Sequence, residues 1–66
     1  MNFGKALRAK RESMNISLSL LASRLCVSEN YLRMIERGSR PLTLIMAIEI
    51  ADFMNITVSE LVGINL

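Results

Sequence analysis

Apolar residues recur at helical spacing along this chain, and that periodicity limits its possible folds more than any other feature. In one segment the helical positions i, i+3, i+4 and i+7 are filled by Leu18, Leu21, Ala22 and Leu25. The alternation of apolar and polar residues that marks a half-buried strand is nearly absent. In a chain of 66 residues, this pattern predicts a single all-α domain whose short helices share one core.

Capping residues divide the chain into five predicted helices. Ser17, Ser28 and Thr43 are predicted N-caps, because a hydroxyl oxygen there accepts a hydrogen bond from the first turn. Asn15 and Gly38 are predicted helix ends, since both residue types tolerate the left-handed backbone conformation. The predicted helices cover about residues 3–13, 18–25, 29–37 and 44–54, and a T-x-x-E capping box at Thr57 and Glu60 opens a last one through Val62.

The fourth predicted helix is apolar nearly all round and is therefore expected to be the central helix of the domain. Glu49 and Asp52 are its only charged residues. Some of Ile45, Met46, Ile50 and Phe53 are expected to exceed what one small core can cover. Helical spacing along the whole chain predicts a core formed mainly by Leu7, Leu21, Ala22, Leu25, Leu32, Ile35, Leu44, Ile48, Ala51 and Leu61.

Charge is distributed unevenly between the two parts of the chain. Residues 1–40 contain eight basic and three acidic residues, a net charge of +5, whereas residues 41–66 contain three acidic and no basic residues. A basic part joined to an apolar, mildly acidic part favours a protein with one surface for a polyanion. A solvated surface with uneven charge is the alternative that composition alone leaves open.

Few residues in this chain suit catalysis or metal binding. It has one cysteine, Cys26, and no histidine, which excludes an intrachain disulfide, the common zinc motifs and a histidine proton shuttle. There is no nucleophile paired with a base and no phosphate-binding glycine loop, so we expect no enzymatic activity, cofactor or metal. Cys26 is expected to be a small buried turn residue rather than a reactive thiol.

The protein is expected to be soluble and cytoplasmic. Its N-terminal residues lack the continuous apolar run of a signal peptide. Its most apolar segment, Leu42 to Met54, is too short to cross a bilayer and contains two acidic residues.

Three motifs follow one another in a fixed order. They are S-x-x-x-L-A-x-x-L-x-V-S at residues 17–28, Y-L-x-x-I-E-R-G at residues 31–38 and V-S-E-L at residues 58–61. A basic first helix precedes them, and an apolar fourth helix lies between the second and the third. Over residues 3–63 this order resembles the Cro and phage-repressor type helix-turn-helix family, also described as XRE-like.

The resemblance implies a compact five-helix, lambda-repressor-like domain spanning residues 1–66, with the helix-turn-helix at helices 2 and 3. Helix 3 would enter the DNA major groove while helix 2 crosses the backbone. The function expected is that of a transcriptional regulator, a repressor that binds double-stranded DNA as a homodimer at a near-palindromic operator. The alternative is an antitoxin-like protein-interaction module that uses the apolar C-terminal half, with DNA binding secondary.

Site residues are carried over by position from the same resemblance. The base-reading residues implied are Glu29, Asn30, Arg33 and Met34. The phosphate-contacting residues implied are Ser28, Tyr31 and Arg40. Arg11 and Glu36 match a structural ion pair between helix 1 and helix 3 that part of the family has.

Three of the base-reading residues also have a simpler explanation. The simpler explanation of Arg33 is a solvated helix residue, but its place on the outer face of helix 3 favours a base edge, where arginine on guanine is the commonest specific contact. Asn30 lies near a helix N-terminus, where asparagine often bonds to the local backbone. Glu29 in a first turn is also explained by the helix dipole.

Two residues depart from the family pattern. Leu18 stands where the family often has a polar residue that hydrogen-bonds to DNA, so that contact is expected to be lost or replaced. Cys26 stands where the family turn usually has glycine. If the backbone keeps a positive φ there, the side chain costs on the order of 1 kcal/mol.

Dimerisation is expected to use helix 5 and residues 63–66, together with surplus apolar residues of helix 4. Ile64 and Leu66 are apolar residues at a chain end, where a small domain has little left to bury them against. The alternative is that this tail folds back on its own core.

Overall fold

The computed structural model describes residues 3–63, and it folds them into five helices without a strand. The helices are α1 (Phe3–Ser13), α2 (Leu18–Leu25), α3 (Glu29–Arg37), α4 (Leu44–Met54) and α5 (Val58–Val62). These bounds confirm the predicted all-α, five-helix architecture. None of these helices is both long and apolar enough to cross a membrane.

Hydroxyl side chains begin four of the helices. Ser17, Ser28, Thr43 and Thr57 each adopt an extended backbone conformation and accept a hydrogen bond from the backbone N–H three residues later, at 3.0 to 3.2 Å. Each oxygen satisfies one of the donors that a helix start leaves unpaired. The predicted N-caps are therefore confirmed.

Left-handed residues end the helices. The positive φ angles lie at Asn15 (56°), Cys26 (57°), Gly38 (85°), Asn55 (57°) and Gly63 (73°). The predicted helix ends at Asn15 and Gly38 are confirmed, and the backbone at Cys26 keeps the positive φ that the family turn would have.

The capping box at α5 is formed only in part. Thr57 Oγ1 accepts from the Glu60 backbone N–H at 3.1 Å, as predicted. The Glu60 carboxylate does not bond back to the Thr57 backbone; instead its Oε1 accepts a hydrogen bond from Thr57 Oγ1 at 3.3 Å. The Thr57 hydroxyl thus bonds to both the backbone N–H and the carboxylate of Glu60.

The helices pack in a closed ring around one core. α1 contacts α3 and α5, α2 contacts α3 and α4, and α4 contacts α5. Each helix contributes to the largest fully buried side chains, which are Leu7, Leu21, Leu32, Ile35, Ile50 and Leu61. Because every helix has its main contacts with two others, the prediction of α4 as the central helix is wrong.

The predicted core is wrong at two positions of α4. Leu44 is 70% exposed and Ile48 is 52% exposed, whereas Ile50 is completely buried. Ala47 and Met54, which were not in the predicted core, are also buried. The reason is that α4 has apolar residues all round, so its periodicity does not reveal which side faces inward.

Leu25 also differs from the prediction, to a smaller degree. It is half-buried and packs against the core cluster without being part of it. It is the last residue of α2, where the chain already turns away from the core. The remaining predicted core residues are buried.

Gly4 allows α1 to approach α3 closely. A Cβ atom at this position would lie 1.9 Å from the Ile35 carbonyl oxygen and 3.1 Å from Glu36 Cα, both backbone atoms. The first distance is far below van der Waals contact and the second is tight, so no larger residue fits without moving one helix. Gly4 thereby fixes the separation between α1 and the last turn of α3.

Candidate nucleic-acid interface

A three-residue corner joins α2 to α3. The backbone N–H of Cys26 donates to Ser23 O at 3.2 Å, and that of Val27 donates to Ala22 O at 3.0 Å. Ser28 then caps α3 through its hydroxyl. The two helices are therefore joined by a turn whose backbone hydrogen bonds fix their relative orientation.

Cys26 is exposed, so the prediction that it is buried is wrong. The next residue, Val27, is half-buried and packs against the core in its place. A residue with a Cβ atom in the left-handed region costs roughly 1 kcal/mol relative to glycine. The domain carries that strain at the turn before α3.

The inner face of α3 is fixed by burial. Leu32 and Ile35 are completely buried, and Glu36 is 8% exposed. The outer face carries Asn30, Arg33, Met34 and Arg37, which follow the spacing i, i+3, i+4 and i+7. Three of these are exposed and Met34 is half-buried.

Glu29 begins α3 and is also exposed. It lies in the first turn, where the positive end of the helix dipole favours a carboxylate. All four residues implied as base-reading therefore belong to α3, and three of them are exposed.

The three residues implied as phosphate contacts lie at the two ends of α3. Ser28 Oγ accepts from the Tyr31 backbone N–H at 3.0 Å, which leaves its own hydrogen free to donate. Tyr31 is half-buried against the core cluster. Arg40 is exposed, and its backbone N–H donates to Met34 O at 3.3 Å, which ties the segment after α3 to the helix.

An ion pair joins Arg11 of α1 to Glu36 of α3. Arg11 Nε lies 2.7 Å from Glu36 Oε2, and Nη2 lies 3.1 Å from Oε1, so the pair is bidentate. The two side chains are only 11% and 5% exposed. Arg11 Nη1 also donates to Ile16 O at 2.8 Å, which connects the turn between α1 and α2 to the same pair.

This ion pair is fully satisfied. Its hydrogen bond to Glu36 raises the pKa of Arg11 above the usual value for arginine. No buried side-chain nitrogen or oxygen within residues 3–63 lacks a hydrogen-bond partner. The pair therefore fixes the orientation of α3 relative to α1 without leaving a buried charge uncompensated.

Sequence reasoning missed a cleft between α1 and α3. The cleft, of about 200 Å³, is lined by Arg8, Arg11, Leu18, Arg33, Glu36 and Arg37; we call it the arginine cleft. Arg37 had a detectable signal, since it lies four residues after Arg33 and seven after Asn30 on the same helix face. No sequence spacing relates Arg8 to these residues, because only the fold brings α1 beside α3.

The outer face of α3 offers groups that suit nucleic acid. Guanidinium, amide and carboxylate groups match the donors and acceptors of base edges, and a thioether can contact a thymine methyl group. Arginines around the helix can neutralise phosphates. Within residues 3–63, no group of three His, Cys, Asp or Glu side chains is arranged to hold a metal ion.

Comparison with known protein families agrees with this geometry. The model of a helix-turn-helix family matches residues 7–61, which include α2, the corner and α3. Neither the curated proteins nor the solved structures contain a significant match to the chain. The family match covers most of the chain and five helices in the expected order, and the protein therefore belongs to the helix-turn-helix family of the Cro/C1 type, a family of DNA-binding regulators.

Proposed function

We propose that this protein is a sequence-specific transcriptional repressor that binds double-stranded DNA as a homodimer at a near-palindromic operator. The observation that carries the proposal is the division of α3 into two faces. Leu32, Ile35 and Glu36 fix its inner face, while Asn30 and Arg33 are exposed on the outer face. A recognition helix needs this arrangement, since its reading side chains must be held by a rigid support.

Each of the four residues implied as base-reading has a base partner that suits its chemistry. Arg33 is assigned to the O6 and N7 acceptors of guanine, and Asn30 to the N6 and N7 atoms of adenine. Glu29 accepts from the amino group of cytosine, and Met34 contacts a thymine methyl group. This assignment gives α3 four reading positions within two turns.

Ser28, Tyr31 and Arg40 are assigned to backbone phosphates. A hydroxyl group donates one hydrogen bond to a phosphate oxygen, and an arginine adds charge. These contacts carry no base information but hold the helix in register. Their location at both ends of α3 supports this role.

A homodimer explains how so small a domain reaches a useful specificity. Two copies of α3 related by a two-fold axis would occupy successive major grooves, about 34 Å apart, and read two half-sites. The exposed apolar residues Leu44, Ile45 and Ile48 on α4 support a dimer surface there. The tail residues 64–66, which we also expect to take part, lie outside the described residues.

Regulation then requires binding alone. A dimer on an operator blocks the polymerase, and no catalytic residue, metal or cofactor takes part. The single domain of residues 1–66 supplies both DNA binding and dimer contacts.

The test compares a reading residue with a positioning residue. Arg33→Ala should cost about 1 to 3 kcal/mol on the preferred site and relax the base preference at one position per half-site. Arg40→Ala should weaken binding to all sequences alike and reduce its sensitivity to salt. The operator is first selected from a random DNA pool, and each variant is then titrated with it and with its single-base variants at two salt concentrations.

If the Arg33 variant keeps the full affinity and base preference of the parent, Arg33 is not a reading residue. Sedimentation of the protein alone and on its operator tests the dimer. A monomer at high micromolar concentration in both cases would count against it.

The exposed apolar face of α4 also favours a second candidate function. Leu44, Ile45 and Ile48 are 70%, 70% and 52% exposed, which is unusual for large apolar residues on one small domain. An antitoxin-like module would use this face for a partner protein and bind DNA secondarily. Stable copurification with a different protein from the native host, and weak DNA binding without it, would favour this candidate.

A further inference from the structure

We propose that the arginine cleft binds one phosphate of the DNA backbone, held by Arg8 of α1 and Arg37 of α3. This inference rests on the proposed DNA-binding function and extends the interface from α3 onto α1. It assigns a role to Arg8, which lies outside the three sequence motifs, and to Arg37, which the second motif contains without a role in DNA binding.

The arginine cleft has more positive charge than its single glutamate compensates. Four arginines and one glutamate line it. Arg11 and Glu36 satisfy each other through two hydrogen bonds, so they offer little to a ligand. Within residues 3–63, neither Arg33 nor Arg37 has a carboxylate partner within ion-pair distance.

Arg8 is bound only by an exposed ion pair. Its Nε lies 3.2 Å from Glu12 Oε1, and both side chains are more than half exposed. Exposed ion pairs of this kind contribute little to stability, because water and salt screen them. Arg8 can therefore exchange a carboxylate oxygen for a phosphate oxygen at small cost, and a planar guanidinium suits either group.

Two arginines that line the cleft repel each other. Arg33 and Arg37 are four residues apart on α3, and like charges at that spacing destabilise a helix. An anion between α1 and α3 would reduce this repulsion. Binding of a phosphate there is favoured both by its attraction to the arginines and by the reduced repulsion between Arg33 and Arg37.

The position of the cleft identifies the source of the phosphate. Arg33 and Arg37 line the cleft and also belong to the outer face of α3. A duplex seated on that face therefore brings a strand of its backbone next to the cleft. Leu18, the first residue of α2, also lines it and has no side-chain donor, so the arginines must supply the hydrogen bonds.

The main test measures DNA affinity over a range of salt concentrations, with the selected operator and with an unrelated duplex. Arg37→Ala and Arg8→Ala should each lower affinity for both duplexes by the same factor, roughly three- to tenfold at low salt. The slope of log affinity against log salt should become shallower by about 0.9 for each lost phosphate contact. Arg37→Lys keeps the charge and should retain the parental slope.

Arg24→Ala is the matched control, since it removes one arginine from outside the cleft. Arg24 lies on α2 with its guanidinium 5.4 Å from the centre of the Phe53 ring. This variant should keep the parental salt slope. All variants are first checked by circular dichroism, and because Arg8, Arg37 and Arg24 are exposed, each should keep the parental fold.

Duplexes with single methylphosphonate substitutions locate the phosphate. One substitution per half-site should weaken the parent most, weaken Arg37→Ala less because Arg8 remains, and leave the double variant Arg8→Ala/Arg37→Ala unaffected. If Arg37→Ala keeps the parental salt slope, or loses affinity only for the operator, the proposal is overturned.

Inorganic phosphate separates backbone binding from binding of a free anion. The Arg37 Nε–H resonance of the parent is followed by NMR during titration with phosphate and, as a control, with chloride at equal ionic strength. A phosphate-specific shift together with an unchanged DNA salt slope would mean a free-anion site only, which overturns the proposal as stated. No phosphate shift with the expected DNA result means that the backbone alone is the source, and it supports the proposal.

The same titration keeps the two proposals distinguishable. If the parent binds no duplex at all, the proposed function fails, and a phosphate-specific shift then identifies the cleft as an anion site of another kind. If the parent binds its operator but Arg8→Ala and Arg37→Ala both keep the parental salt slope, the proposed function stands and the cleft inference fails.

Discussion

Helices α3 and α4 are similar in length but use their surfaces differently. α3 has nine residues, with a buried inner face and a polar outer face. α4 has eleven residues and is apolar on both sides, burying Ile50 and Met54 while exposing Leu44, Ile45 and Ile48. α3 is thus oriented by its own sequence, whereas α4 is oriented by the helices packed against it.

This difference shows what a recognition helix requires of its support. An amphipathic helix has one favourable way to face the core, so its outer residues are presented reproducibly. Glu36 strengthens that preference, because an ion pair has a defined geometry and an apolar contact does not. α4 has no such constraint and can offer its outer face to a partner.

Two expected effects are the largest and of similar size, and the first concerns the ion pair that holds α3. Glu36→Gln or Arg11→Met should each cost about 3 kcal/mol, because the remaining buried charge loses its partner. Arg8→Met breaks only the exposed Arg8–Glu12 pair and should cost less than about 1 kcal/mol. Urea unfolding followed by circular dichroism measures all three.

Equal small effects for the three variants would show that the pair does not hold α3. The pKa of Arg11 is raised in the folded state, so its contribution is fully present below the ordinary pKa of arginine and is lost only as pH rises above it. The destabilisation caused by Arg11→Met should therefore stay constant over the neutral and mildly alkaline range.

The next effect tests the two sides of α4 with one type of substitution. Ile50→Ala should cost about 2 to 5 kcal/mol, since it leaves a cavity in the core. Ile48→Ala should change the stability of the monomer by less than about 0.5 kcal/mol, because half of that side chain is already in water. Thermal unfolding at low protein concentration provides the comparison. Similar losses of stability for both variants would contradict the assigned orientation of α4.

A smaller effect is expected where α1 meets α3. Gly4→Ala should cost about 1 to 3 kcal/mol, because the new Cβ would collide with the backbone of Ile35. Gly63→Ala is the control: its Cβ would meet no atom within 4 Å, so only the strained positive φ remains, at about 1 kcal/mol. A neutral or stabilising Gly4→Ala would mean that α1 and α3 can move apart freely.

The smallest effect is expected at the corner before α3. Cys26→Gly should stabilise the protein by up to about 1 kcal/mol, because glycine adopts a positive φ without strain. Cys26→Ala keeps a Cβ atom and should give no such gain. If the two variants have the same melting temperature, the strain at this turn is negligible.

Most of the fold could be predicted from the sequence, because its boundaries depend on local chemistry. Ser17, Ser28 and Thr43 cap the helices that they were predicted to cap, and Gly38 ends α3. The orientation of α4 could not be predicted, since periodicity has no direction in a helix that is apolar all round. The exposure of Cys26 depended on Val27 taking the inward position at the turn.

Helical periodicity could predict the candidate site only where its residues lie on one helix. Glu29, Asn30 and Arg33 follow from the amphipathic pattern of α3 together with the family resemblance. The Arg11–Glu36 pair came from the resemblance alone, because 25 residues separate its partners. Arg8 was expected to face solvent, and its place beside α3 could not be predicted for the same physical reason: only tertiary packing brings α1 next to α3.

The separation of charge along the chain has a kinetic consequence. The basic residues lie on α1, α2, α3 and the segment after α3, whereas Glu49, Asp52 and Glu60 lie on α4 and α5. The field of a polyanion therefore attracts the helices that carry the basic residues and repels α4 and α5, before any contact forms. Approach in the productive orientation becomes more frequent, and the association rate constant falls as salt shortens the range of that field.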